Sequence, residues 1–282
     1  RDCPKPGVGM FIFVAFNFFG NTLSYLRQSL AIAIFLFAIR YIKEKRIVPY
    51  MLLVLLAASF HNSLLLMIPI YFLAQIPVNR VSMGVYAGVT VLVLIFSWQL
   101  FDLVTQFVYQ YYATEQNLYF MNGRDFMTGF VPVLAMVMII GFKKLLLKQN
   151  PRNVVLGNLA MYAGMFFMLT WKHFLFQGIG NIFFTAAILY IPELLAALQS
   201  TATEEEKEKR FLAGKGSWRN YGYYYGLAAV MAFGLIYYFW FIQQNRIHLL
   251  PFYTVFQEIQ VSALRVQAIT TTILNTLVQT FG

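Results

Sequence analysis

Charge and cysteine are what this chain has least of. Only 11% of its 282 residues are charged, and Cys3 is its one cysteine. Soluble domains carry about 25% charged residues, so no water-facing surface can be assembled from this composition. That excludes an ordinary cytosolic enzyme, a disordered segment and a nucleic-acid-binding domain. One cysteine excludes an internal disulfide and any paired-cysteine metal or redox site. The GxxxxGK[ST], HExxH and GxSxG signatures are missing as well. Nucleotide hydrolysis, zinc proteolysis and serine hydrolysis therefore lack their parts, and no metal or cofactor is expected.

Apolar side chains fill the space: 60% of residues are hydrophobic and 18% aromatic, with a mean hydropathy of +0.63. The chain reads as an integral membrane protein. Its apolar runs are continuous, which argues for helices and against the alternation of a membrane β-barrel. A helix needs about 20 apolar residues to cross a hydrocarbon core of about 30 Å. Runs of that kind occupy 22–42, 81–101, 129–147, 154–171, 177–198 and 221–242, and a shorter one at 8–20 breaks at Gly20-Asn21. The expected fold is an all-α polytopic membrane protein with about eight or nine membrane segments. Residues 1–254 form the transmembrane domain. Residues 255–282, with Glu258 and Arg265 as their only charges, form an interfacial amphipathic helix. Because the chain starts at Arg1 rather than Met, its true N-terminus is expected to lie further upstream.

The net charge of +10 is a topology signal, because the cations cluster between apolar runs. Lys43, Lys45 and Arg46 mark one cytoplasmic turn. Lys143, Lys144, Lys148 and Arg152 mark a second, and Lys207, Lys209, Arg210, Lys215 and Arg219 a third. Three single crossings between the first two turns would put them on opposite sides. The conflict disappears if 48–76 is a hairpin of two short helices that enters and leaves on the cytoplasmic side, with His61 near its tip. The polar string Ser59-Phe60-His61-Asn62-Ser63 supports a break there, since lipid leaves no partner for exposed backbone groups.

Ionisable groups within a bilayer are functional candidates by default, and this topology sends several to the outer side. Arg27, followed by Gln28, can hold a diphosphate with its planar fork or snorkel at the interface. His61, beside Asn62 and Ser63, can relay a proton, donate to phosphate or satisfy a helix end. Lys172-His173 offers an outer-rim phosphate contact or, beside Trp171, an interfacial anchor. Arg124-Asp125 offers a cation and a proton-abstracting carboxylate, or a surface ion pair. Arg246 and His248 are weaker candidates of the same kind. Tyr109, Tyr111 and Tyr112 can stack on sugar rings.

The string from Leu26 to Leu73, LRQSLAIAIFLFAIRYIKEKRIVPYMLLVLLAASFHNSLLLMIPIYFL, resembles the EpsG-like branch of the Wzy-type polysaccharide polymerases. The shared features are an Arg-Gln ahead of a small-residue helix, a basic turn, and an Ala-rich helix ending in Phe-His-x-Ser before an apolar Pro-containing segment. Phe183 to Pro192 and Leu250-Pro251-Phe252-Tyr253 resemble later parts of the family. Where the family often places an arginine before the late aromatic pair, this chain has Lys172-His173. The resemblance implies joining of repeat units carried on undecaprenyl diphosphate at the outer face of a bacterial inner membrane, without a metal. Other polysaccharide-assembly membrane proteins are implied partners. It implies roles for Arg27, His61 and Asp125 in catalysis, and for Arg27, Gln28, Ser63, Arg124, Lys172, His173 and Arg246 in holding the diphosphate. A flippase for lipid-linked oligosaccharide and an accessory envelope subunit are the alternatives that composition does not separate from it.

Overall fold

The structure, a computed structural model, describes residues 3–99, 103, 126–174, 176–199 and 222–243. Among them every regular element is helical. Helix α1 (Pro6–Ala15) starts on Pro6, whose missing N–H costs nothing in a first turn. Helix α2 (Phe18–Ser24) follows at 55° to it. The bend sits at Asn17, which takes the left-handed conformation (φ 60°) that asparagine tolerates. The break expected at Gly20-Asn21 is therefore displaced: both residues lie inside α2, because Asn17 makes the turn without a glycine. Helix α3 (Leu26–Lys43) ends in a tight turn with Lys45 at φ 58°. That turn is tied by the Arg46 N–H donating to the Tyr41 carbonyl at 2.8 Å. Helix α4 (Ile47–Phe60) then packs back along α3.

At His61 the backbone becomes extended (φ −150°, ψ 108°) and α4 stops. A 3-10 turn (Asn62–Met67) and the short helix α5 (Ile70–Leu73) bring the chain back. The buried Tyr50, one turn into α4, donates its hydroxyl to the Met67 carbonyl at 2.6 Å. Its ring lies 5.2 Å from that of Tyr71. One residue of the outgoing arm thus touches two of the returning arm, and His61 is the tip. This is the hairpin that the basic turns required of 48–76. Tyr50→Phe leaves the Met67 carbonyl buried without its donor and is expected to destabilise the protein by about 1–3 kcal/mol. An unchanged thermal midpoint in detergent would mean that this bond does not hold the hairpin.

Helix α6 (Arg80–Ile95) is started by a reciprocal cap, in which Asn79 Oδ1 accepts from Ser82 N–H and Ser82 Oγ accepts from Asn79 N–H. Helix α7 (Phe126–Gln149) and helix α8 (Val154–Thr170) pack closely. A Cβ at Gly164 would lie 2.6 Å from the Met136 side chain, so only glycine permits the approach there. Helices α9 (Phe176–Phe184) and α10 (Ala187–Gln199) together return beside α8, and α11 (Gly222–Gln243) runs against α1 and α10. The fully buried Asn158 ties the hairpin to this bundle. Its Nδ2 donates to the Ala74 and Ile76 carbonyls, both at 2.8 Å, and its Oδ1 accepts from the Tyr86 hydroxyl at 3.3 Å. The Tyr162 hydroxyl donates to the Leu73 carbonyl at 2.9 Å.

Contacts between distant residues sort the helix termini into two ends. At one, Lys43 Nζ lies 3.5 Å from Glu193 Oε1 and Asn153 Nδ2 donates to Glu193 Oε2 at 3.2 Å. This joins the basic turn after α3 to the start of α8 beside Arg152. At the other, Gln28 Nε2 donates to the Gly178 carbonyl at 3.0 Å, Lys172 Nζ to the Leu94 carbonyl at 2.6 Å and Trp171 Nε1 to the Phe126 carbonyl at 3.1 Å. We call these the basic end and the far end. Glu193 is 8% exposed, so Glu193→Ala removes the counter-charge of Lys43 from an enclosed site. It is expected to cost about 2–3 kcal/mol, while Glu193→Gln, which keeps an acceptor for Asn153, costs less. Chemical denaturation of the purified protein checks the order.

Four described helices are long and apolar enough to cross a membrane: Thr128–Gln149, Pro151–Thr170, Phe176–Leu198 and Gly222–Ile242. The bent pair Pro6–Ala15 and Phe18–Ser24 makes a fifth if it counts as one span. The expected eight or nine segments are not reached among the described residues, for two physical reasons. Helix α3 carries Arg27, Arg40 and Lys43. Helices α4 and α6, of 14 and 16 residues, rise only about 21 Å and about 24 Å. The third basic run and residues 255–282 lie outside the described residues.

Candidate functional site

Arg27 stands in the first turn of α3 at the far end, exposed, with no ion-pair partner among the described residues. That turn has no side-chain cap and no acidic residue. The N-terminus of a helix carries free N–H groups and a partial positive charge, so a cation placed there opposes the helix dipole and costs stability. Both features suit an anion, and they converge on one place.

Sixteen residues of α3 separate Arg27 from Lys43, and fourteen of α4 separate Ile47 from His61. These are rises of about 24 Å and about 21 Å from a shared turn, so Arg27 and the hairpin tip come to nearly the same level. His61 is half-buried, Asn62 exposed and Ser63 half-buried, and the 3-10 turn that they begin packs against α3. Successive helical residues point about 100° apart, so Gln28 faces differently from Arg27. Its amide nitrogen is committed to the Gly178 carbonyl, which makes it a tie between α3 and α9.

Lys172 is exposed, and its ammonium closes the last turn of α6 through the Leu94 carbonyl, where a cation complements the helix dipole. His173 has no exposed surface and packs edge-to-face on Trp98 at 4.5 Å. Arg124, Asp125, Arg246 and His248, with Tyr109, Tyr111 and Tyr112, lie outside the described residues.

Beside the first turn of α3 opens a groove of about 450 Å³ between α1–α2, α3 and α9–α10. Its wall on α3 is one helical stripe, from Tyr25 and Gln28 through Ser29, Ile32 and Ala33 to Leu36. The mouth at the far end also carries Asn21, Thr22 and Asn181, and among the described residues no charged side chain lines the groove. Several of its polar groups are already engaged with the backbone: Thr22 Oγ1 donates to the Phe19 carbonyl at 2.6 Å and Ser29 Oγ to the Asn21 carbonyl at 3.3 Å. Below the mouth the described walls are mostly apolar, through Met10, Phe13 and Ile188, with Thr185 giving its hydroxyl to the Asn181 carbonyl at 2.7 Å, and they end near Cys3.

A hairpin whose tip reaches an arginine-headed helix, both within the first seventy residues, is a feature to set against known proteins. A family model described as the EpsG family matches residues 1–205. The chain belongs to the EpsG family. That family is of the Wzy-like polysaccharide-polymerase type, so this EpsG-family chain is a membrane protein of polysaccharide biosynthesis. No curated protein and no solved structure matches it. The match takes in the groove, both ties from α3 to the α9–α10 arm, and the hairpin.

Sequence reasoning misses three features. The groove residues Asn21, Thr22, Tyr25 and Asn181 are uncharged and do not stand out, although Tyr25, Gln28, Ser29 and Ile32 already carry helical spacing. Glu193 and Asn158 are a lone acid and a lone amide inside apolar runs. In lipid such a group needs a partner, and that is the signal the sequence offers.

Proposed function

We propose that this EpsG-family protein is a polysaccharide polymerase acting on oligosaccharide repeat units linked to undecaprenyl diphosphate, at the outer face of a bacterial inner membrane. The observation that carries this reading is the uncapped start of α3, with Arg27 in its first turn, at the end opposite the basic turns and level with His61. By the positive-inside rule the basic end faces the cytoplasm, so the far end faces outward.

In the reaction a hydroxyl oxygen of the incoming repeat unit attacks the anomeric carbon of the growing chain. The bond from that carbon to the lipid diphosphate breaks, and the diphosphate leaves with the electron pair. The hydroxyl proton passes to a base, His61 or Asp125. Negative charge grows on the departing oxygen, so donors already aimed at it lower the barrier most. Arg27 and the free N–H groups of its turn supply them, with Ser63, Arg124, Lys172 and Arg246 as further contacts to phosphate. Gln28 holds α9 in place beside them.

The purified protein in liposomes, supplied with lipid-linked repeat units, tests this. Polymers longer than the input units are the expected product. If the units cross the bilayer without growing, the protein is a flippase; if they do neither, it is an accessory subunit.

A further inference from the structure

The groove beside α3 has a polarity gradient that the reaction above leaves unused. We propose that it seats the prenyl chain of the lipid-linked substrate, entered sideways from the membrane, with the first polar linkage held at the mouth formed by Asn21, Tyr25, Gln28 and Asn181. The proposal rests on the polymerase reading for the identity of the lipid and on geometry for the place.

Four observations carry it. The α3 stripe from Tyr25 to Leu36 is about 16 Å long, close to one leaflet of a hydrocarbon core of about 30 Å. The volume, within the range of about 300–1,000 Å³ for small-molecule pockets, suits the leading isoprene units of one chain. The groove is reached from the side, since Met10 is 65% and Tyr25 50% exposed. Among the described lining residues the uncommitted amide and hydroxyl groups stand near the far end, since the deeper Thr185 gives its hydroxyl to the Asn181 carbonyl. The Asn21 and Asn181 amides and the Tyr25 hydroxyl bond to no other described side chain or backbone group there, while the deep walls offer Phe13, Ile32, Leu36 and Ile188. A chain lying there would emerge within a residue of Arg27, where its diphosphate meets the guanidinium.

The inner end is marked by a reporter. Cys3 lines the groove there, half-buried, with its Sγ 3.8 Å from the Ile188 carbonyl. Burial pushes its thiol up, the Glu193 carboxylate pushes the same way, and the Lys5 backbone N–H pulls against them. Any molecule filling the groove therefore covers the chain's one thiol.

The test is the rate of Cys3 alkylation by a small maleimide, at fixed pH, for the full chain in phosphatidylcholine nanodiscs. A long-chain prenyl diphosphate is expected to slow alkylation at least fivefold, while inorganic pyrophosphate and phosphatidylglycerol leave it within twofold. Ala33→Phe and Met10→Trp, at exposed positions on opposite walls, are each expected to abolish that protection with the thermal midpoint unchanged. Equal rates with and without the prenyl diphosphate overturn the proposal. So does equal protection by phosphatidylglycerol, or protection that survives in both wall variants. Protection without polymer growth keeps the groove and removes the polymerase; polymer growth with an unprotected Cys3 does the reverse.

Discussion

Replacing Arg27 with alanine is expected to lower polymer growth by about two orders of magnitude, the size seen when one preorganised donor to a developing anion is removed. The fold is expected not to suffer. The side chain is exposed, has no ion-pair partner among the described residues, and opposes the dipole of its own helix. Removing it should leave the thermal midpoint unchanged or raise it slightly, by about 0.3–1 kcal/mol in stability. A loss of activity with no loss of stability separates a substrate contact from an interfacial anchor. Arg27→Lys keeps the charge but gives up the fork that matches two phosphate oxygens, and should retain an intermediate activity, about tenfold below the parent. If Arg27→Ala grows polymer within threefold of the parent, the diphosphate does not sit at this helix. The companion variant His61→Ala asks whether the hairpin tip shares the work, and a thermal midpoint equal to the parent's is the control that the hairpin is intact.

The largest stability effect is expected at Asn158, where Asn158→Leu should cost about 3–5 kcal/mol. One fully buried amide serves the Ala74 and Ile76 carbonyls and accepts from the Tyr86 hydroxyl. Leucine has a similar size and no polar atom, so two carbonyls just past α5, that of Ala74 buried and that of Ile76 partly so, lose their donor. Each such loss costs about 1–3 kcal/mol. Tyr162→Phe removes one donor to the neighbouring Leu73 carbonyl and should cost about 1 kcal/mol. Thermal or chemical denaturation in nanodiscs measures both. A cost below 1 kcal/mol for Asn158→Leu would show that the return arm of the hairpin is held by packing alone.

The hairpin at 48–76 is legible in the distribution of charge. Three basic turns have to share one side, and a single crossing at 48–76 breaks that count, so long-range bookkeeping of charge predicts a local break that hydrophobicity alone would smooth over. Tyr50, Met67 and Tyr71 show the doubled-back chain. The bend between α1 and α2 falls elsewhere than expected because Gly20-Asn21 is the stronger breaker by residue type, whereas Asn17 adopts the left-handed conformation in the folded chain. His173 and Lys172 read as one cationic pair in sequence. The chain turns between them, so one is buried against Trp98 and the other reaches the Leu94 carbonyl.

Composition and the length of the apolar runs determined that this is a helical membrane protein, the spacing of charges called for a break within 48–76, and the string from Leu26 to Leu73 carried the family resemblance. These follow from a solvent that tolerates neither bare charge nor bare backbone, a constraint written into every residue separately. Tertiary structure alone decided that Gln28 ties α3 to α9 while Arg27 pairs with no described acidic residue, that Lys43 and Asn153 converge on Glu193, and that a groove whose described mouth is uncharged runs beside α3. Those pairings join residues from 40 to 150 positions apart, and only the packing of whole helices brings such residues within reach of one another.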